Sequence, residues 1–133
     1  MSDYRPEKVA PQKIKRTAAE LELALVRSPD TLASVAKLPS PPFTVGFAAE
    51  TQDVARHARE KLDKKRIDMI AANQVGRDCG FDRETNALTV YWAGGELALG
   101  EGSKPVLARR LVELIGERYR AARRNVRTTS RAG

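Results

Sequence analysis

The chain has one cysteine in 133 residues, one histidine, one tryptophan and only 5% aromatic residues. With Cys79 as the only thiol, an internal disulfide is excluded and a cysteine pair for zinc is absent. His57 has neither a second histidine nor a nearby cysteine, so spacing supports neither a metal site nor a nucleophile pair, and it reads as a surface residue. No apolar run reaches membrane-spanning length, and Met1 is followed by Ser2, Asp3 and Tyr4 rather than by a basic and then an apolar stretch. That pattern places the chain in the cytoplasm. Neither a Walker-type nor a dinucleotide-type glycine loop occurs. Internal repeats and low-complexity segments are missing too.

What is present is globular: 41% hydrophobic and 31% charged residues, at a length that fits one core. The net charge of +7 invites a nucleic-acid reading, but its distribution weakens it. Residues 118, 120, 123, 124, 127 and 131 are arginines with no acid among them, so 7 − 6 leaves +1 for the body. The reading is a body over residues 1–125 followed by a basic, disordered tail over 126–133.

Along the chain, Leu21, Leu23 and Leu25 alternate with Glu22 and Ala24, the period of a strand with one buried face. Ser28-Pro29-Asp30 then offers an N-cap, a first-turn proline and a first-turn acid for a helix over 31–37. Three prolines between Leu38 and Pro42 require a turn, after which residues 43–48 read as a buried strand. A helix capped by Thr51 or Asp53 runs to about Lys65, and a third strand runs from Ile67 to Asn73. This β-α-β-α-β order predicts a parallel sheet, with ligands gathering beyond the C-terminal strand ends. A loop over 76–85 leads to a hairpin of residues 87–92 and 97–99, and Pro105 opens a closing amphipathic helix.

Cations mark two places beside those strand ends. Lys13, Lys15 and Arg16 lie on a segment with no buried face, a loop that can close over an anion. Lys61 and Lys65 share a helical face by the four-residue step, although solvated lysines at a helix C-terminus are common because the dipole favours them. Phe47, late in a buried strand, reads as core on pattern alone. Cys79 reads as an unremarkable thiol.

Four segments together resemble one family. Asp3-Tyr4-Arg5-Pro6 with Lys13-Ile14-Lys15-Arg16, Val26-Arg27-Ser28-Pro29-Asp30, Val45-Gly46-Phe47-Ala48-Ala49-Glu50-Thr51, and Ala72-Asn73 with Gly80-Phe81 and Asn86 are similar to the second half of the ligase domain of the bifunctional CoaBC flavoproteins. The order and spacing match from about Asp3 to Arg124. The resemblance implies an α/β fold: a partial Rossmann-like three-layer sandwich with a mostly parallel sheet, a C-terminal β-hairpin and a closing helix. It implies a phosphopantothenate–cysteine ligase that activates 4′-phosphopantothenate with CTP and Mg2+ and joins it to cysteine through an acyl-cytidylate, without bound FMN.

By the same resemblance Lys13 is the catalytic lysine of a flexible flap. Asp3, Lys13, Pro29, Asp30, Thr31, Leu32, Phe47, Lys61 and Lys65 hold the nucleotide, with Asn73 and Phe81 as secondary candidates and no protein metal ligand. The family's first strand, glycine-rich turn and asparagine loop precede the matched region, so an active site completed in cis or trans is expected, in a homodimer. Asn73-Gln74-Val75-Gly76 departs from the family's Asn-Asp-Val-Ser. Two alternatives stand beside this reading: a non-catalytic dimerisation remnant, and a basic module that binds polyanions through its arginine tail.

Overall fold

In the computed structural model the described residues are 3–13, 20, 22–75 and 85–132, with side chains described for all of these except 85, 86 and 126–132. Nine elements follow in order: β1 (Tyr4–Pro6), β2 (Leu25–Arg27), α1 (Thr31–Ala36), β3 (Val45–Glu50), α2 (Val54–Lys65), β4 (Met69–Gln74), β5 (Thr85–Trp92), β6 (Gly95–Ser103) and α3 (Lys104–Ala132).

The main sheet has the order β3-β4-β5-β6. Its parallel pair joins β3 to β4 with Val45 opposite Met69 and Glu50 opposite Gln74, and α2 is the crossover. The two pairings that follow, β4 with β5 and β5 with β6, are antiparallel. The sheet is therefore mixed rather than mostly parallel. The hairpin turns through Ala93-Gly94, where Gly94 takes a φ of 86°, a conformation that costs a glycine little. The hairpin and the closing helix stand where the sequence puts them.

The expected first strand is corrected. Its β2 part pairs antiparallel with β1 in a separate two-stranded sheet, Tyr4 opposite Arg27, instead of joining the main sheet. Leu23 and Leu25 are more than half exposed, so the alternation that signalled a strand does not bury its leucines in the core among the described residues. Leu21 lies outside the described residues. The partner strand is β1, Tyr4–Pro6, in the segment before Leu21 that has no pattern burying a face.

Two apolar clusters make the three layers. On one face of the sheet Ala48, Ile70, Ala72 and Tyr91 pack against Ala58 and Leu62 of α2, with Leu32 and Ala36 of α1 at the margin. On the other, Met69, Ala71, Val90 and Leu99 pack against Leu107, Leu111 and Leu114 of α3. Strand alternation explains the division, since successive residues of β4 face opposite ways. Helix α3 continues to Ala132, so residues 126–132 of the expected disordered tail are helical. Arg118, where the basic run begins, lies over the Trp92 ring at 5.0 Å, and Arg110 donates to the Leu99 carbonyl at 2.8 Å. Such contacts tie the helix to the hairpin.

Candidate functional site

A line of charged groups runs from Glu50, at the C-terminal end of β3, along α2 to the start of α1. Helix α2 begins after Asp53, which takes a left-handed conformation, and ends at Arg66, which does the same. Its apolar side, Ala58 and Leu62, is buried in the first cluster. His57, Lys61 and Lys65 recur at four-residue steps along the helix and so form one stripe.

That stripe meets two carboxylates. Glu50, the last residue of β3, has a side chain only 14% exposed; Lys61 donates to it in a short contact, and His57 Nδ1 stands 3.4 Å from its Oε2. His57 Nδ1 is buried without a hydrogen bond. Lys65 Nζ lies 3.1 Å from Asp30 Oδ2. Asp30 is the N-cap of α1: it accepts the Ala33 N–H at 3.0 Å, which corrects the expected cap at Ser28. That backbone hydrogen bond, aided by the Lys65 ammonium against partial desolvation, holds the Asp30 carboxyl below its ordinary range.

The other expected site residues are placed as follows. The β1–β2 ribbon brings Asp3 beside the α1 start, its carbonyl accepting the Ser28 N–H at 2.8 Å, so Asp3, Pro29, Asp30, Thr31 and Lys65 form one neighbourhood. Leu32 instead packs against the first apolar cluster and anchors α1. Phe47 is not core: it is 73% exposed on β3, the outer strand of the sheet, on the face opposite Ala48 and Glu50. Asn73 is half-buried in β4 opposite Ala49 and Leu88. Lys13 is exposed, and residues 14–19 that follow it lie outside the described residues, as do Cys79 and Phe81.

Two residues, His57 on the stripe and Glu50 beside it, had no functional role from the sequence alone. His57 is not a solvated surface residue, because it packs on Glu50. Glu50 stood inside the Phe-Ala-Ala-Glu-Thr string without a role. The available signal was the four-residue step from His57 to Lys61 to Lys65, which places the histidine on the same stripe as the lysines. Among the described residues no three His, Cys, Asp or Glu side chains gather as metal ligands, and no helix is long and apolar enough to cross a membrane.

Comparison with known proteins gives the family. Residues 1–119 match the family model described as "DNA/pantothenate metabolism flavoprotein C-terminal domain". The chain is 48% identical over 121 residues to the "Coenzyme A biosynthesis bifunctional protein CoaBC" of Vibrio parahaemolyticus, covering 88% of this chain and 30% of that protein. It is 41% identical over 124 residues to the protein of that name from Escherichia coli K12, covering 90% and 30%. The chain thus spans under a third of the length of these relatives. A crystal structure of the C-terminal domain of a CoaBC protein superposes with a TM-score of 0.61 at 28% identity, over 88% of this chain and 50% of the other. The DNA/pantothenate metabolism flavoprotein from Streptococcus pneumoniae has a TM-score of 0.66 at 19% identity, covering 87% and 59%, and supports the fold alone.

These findings correct the activity inferred from the resemblance. The family description is of a flavoprotein domain and the relatives' names give coenzyme A biosynthesis; ligation, CTP and magnesium stand in none of them. The CTP-dependent phosphopantothenate–cysteine ligase assignment, its Mg2+ with CTP, and the exclusion of a flavin do not stand on this footing. With a matching model over 119 of its residues, the chain belongs to the DNA/pantothenate metabolism flavoprotein C-terminal domain family.

Proposed function

We propose that this chain serves coenzyme A biosynthesis by holding a phosphate-bearing pantothenate derivative along the charged stripe of α2, between the C-terminal end of β3 and the start of α1. The observation that carries this reading is the Lys61–Lys65 stripe beside the Asp30-capped start of α1. Both ammonium groups already rest on carboxylates, and a ligand phosphate can take the place of those partners without moving the helix. Asp3, Pro29 and Thr31 border this place, and Lys13 is assigned to it as a further cation. In this reading Glu50 and His57 keep Lys61 aimed at the strand ends.

The reading includes a cytoplasmic homodimer, and a site completed by the remainder of a longer protein in cis or trans. Calorimetric titration tests it, with 4′-phosphopantothenate as ligand, pantothenate as the phosphate-free control and FMN as a second arm. Binding of the phosphorylated compound alone, weakened at least about tenfold by Lys65→Ala, is expected for a lost charge-assisted contact. Equal binding of pantothenate, or indifference to Lys61→Ala and Lys65→Ala together, would sink the proposal.

A further inference from the structure

A cleft of about 330 Å³ lies at the N-terminal ends of β3 and β4, where Thr44 precedes β3 and Asp68 precedes β4. Its lining residues are distinct from the Lys61–Lys65 stripe, with Arg66 next in sequence after Lys65. One wall is Pro41, Pro42 and Phe43; the other is Tyr119 and Ala122 of α3. The Phe43 and Tyr119 rings meet edge to face, with centroids 5.7 Å apart, which fixes the apolar floor between the walls. The volume falls in the range of small-ligand pockets.

The polar groups here are Arg66, Arg123 and Asp68. Asp68 is committed to the fold: its Oδ2 accepts the Thr44 N–H at 2.8 Å and the Thr44 hydroxyl at 3.1 Å. Arg123 is held with its guanidinium 5.7 Å from the Tyr119 ring centroid and donates to the Tyr119 hydroxyl at 3.3 Å, which leaves further N–H donors of a five-donor fork to face the cleft. Arg66 closes α2 in the left-handed region, with φ 55° and ψ 39°, where glycine or asparagine fits with less strain. A strained non-glycine residue at the rim of a cleft is a recurrent mark of a binding position.

We propose that this cleft is a second binding site, for a small amphipathic anion with an oxyanion head and a compact apolar body. Two guanidinium groups and one committed carboxylate line the cleft, so it favours negative charge, and guanidinium geometry matches a carboxylate or phosphate two bonds at a time. The proline and aromatic walls take the apolar body. This site is independent of the proposed function, because it shares no residue with the Lys61–Lys65 stripe.

Amide chemical-shift titration of the full chain tests it, with phenyl phosphate and benzoate as probes and benzyl alcohol as the neutral control. The expected result is saturable binding of one or both anions, with shifts at Thr44, Asp68 and Ala122. Arg123→Gln and Arg66→Asn each weaken it at least about tenfold, and Asn keeps the left-handed turn allowed. Phosphate selectivity would name a phosphate monoester as the natural ligand class, and preference for benzoate a carboxylate. No saturable shift at millimolar probe, equal binding of benzyl alcohol, or affinity unaltered in both arginine variants whose circular dichroism matches the parent overturns the proposal.

Discussion

Gly46 shows how closely a single position can be constrained. A β carbon there would stand 2.8 Å from Ile67 Cδ1 and 3.0 Å from Leu32 Cδ2, inside normal contact. Gly46→Ala should therefore push on the junction of α1 with the sheet and cost about 1–3 kcal/mol, the usual range for overpacking, read from denaturant unfolding. Asp30 is the second such position. Asp30→Ala removes the cap on Ala33 and the Lys65 ion pair, and should cost about 1 kcal/mol at neutral pH, mostly from the cap because the pair is exposed. Since the folded carboxyl titrates below its ordinary value of 3.8, this contribution is complete above that value and lost as pH falls through the lower folded pKa. Parent and variant unfolding curves should accordingly converge in strong acid, and a gap unchanged by acid would refute the assignment. The sequence made Asp30 visible as a first-turn acid but not as the cap, because Ser28 and Asp30 are both good N-caps and only the backbone decides which one precedes the first helical residue.

At the scale of elements, the strong periodicities were readable and the pairing partners were not. Helix α2 ends at Lys65 as expected, and the hairpin and α3 follow their patterns, because each buries a regular stripe against the sheet. The β1–β2 ribbon defeated the same logic: alternation at Leu23 and Leu25 specifies a strand but says nothing about which sheet receives it. The mixed character of the sheet was hidden for a related reason, since a hairpin attached directly to β4 must run antiparallel to it or to its own partner, and sequence order alone does not choose. Helix α3 provides the test at this scale. Leu111 is 6% exposed in the cluster with Met69 and Val90, so Leu111→Ala should cost about 2–5 kcal/mol. The neighbouring Val112 is 68% exposed, and Val112→Ala should change stability by no more than about 0.5 kcal/mol. Equal losses from the two would mean that α3 is seated on a different face.

At the scale of the whole molecule, Tyr91 links the hairpin to the α2 layer, and its titration reports on whether that layer stays closed. It is 4% exposed within the first cluster, with the Arg59 guanidinium 5.2 Å from its ring centroid and Arg59 in turn 3.4 Å from Glu96. Burial, reinforced by the Glu96 carboxylate and opposed by Arg59 and a hydrogen bond with Thr89, pushes the Tyr91 phenol above its ordinary value of 10.0. An acid whose folded pKa is raised keeps its full contribution below the unfolded value and loses it as pH climbs through the folded one, because the unfolded chain releases that proton more readily. Stability should thus decline above about pH 10 with a component that Tyr91→Phe removes, while the same variant changes little of the pH dependence below pH 9. Urea unfolding followed across the alkaline range in parent and variant decides the matter. Superimposable alkaline slopes would show that the phenol ionises without opening the sheet from α2, and that this layer is looser than its packing implies.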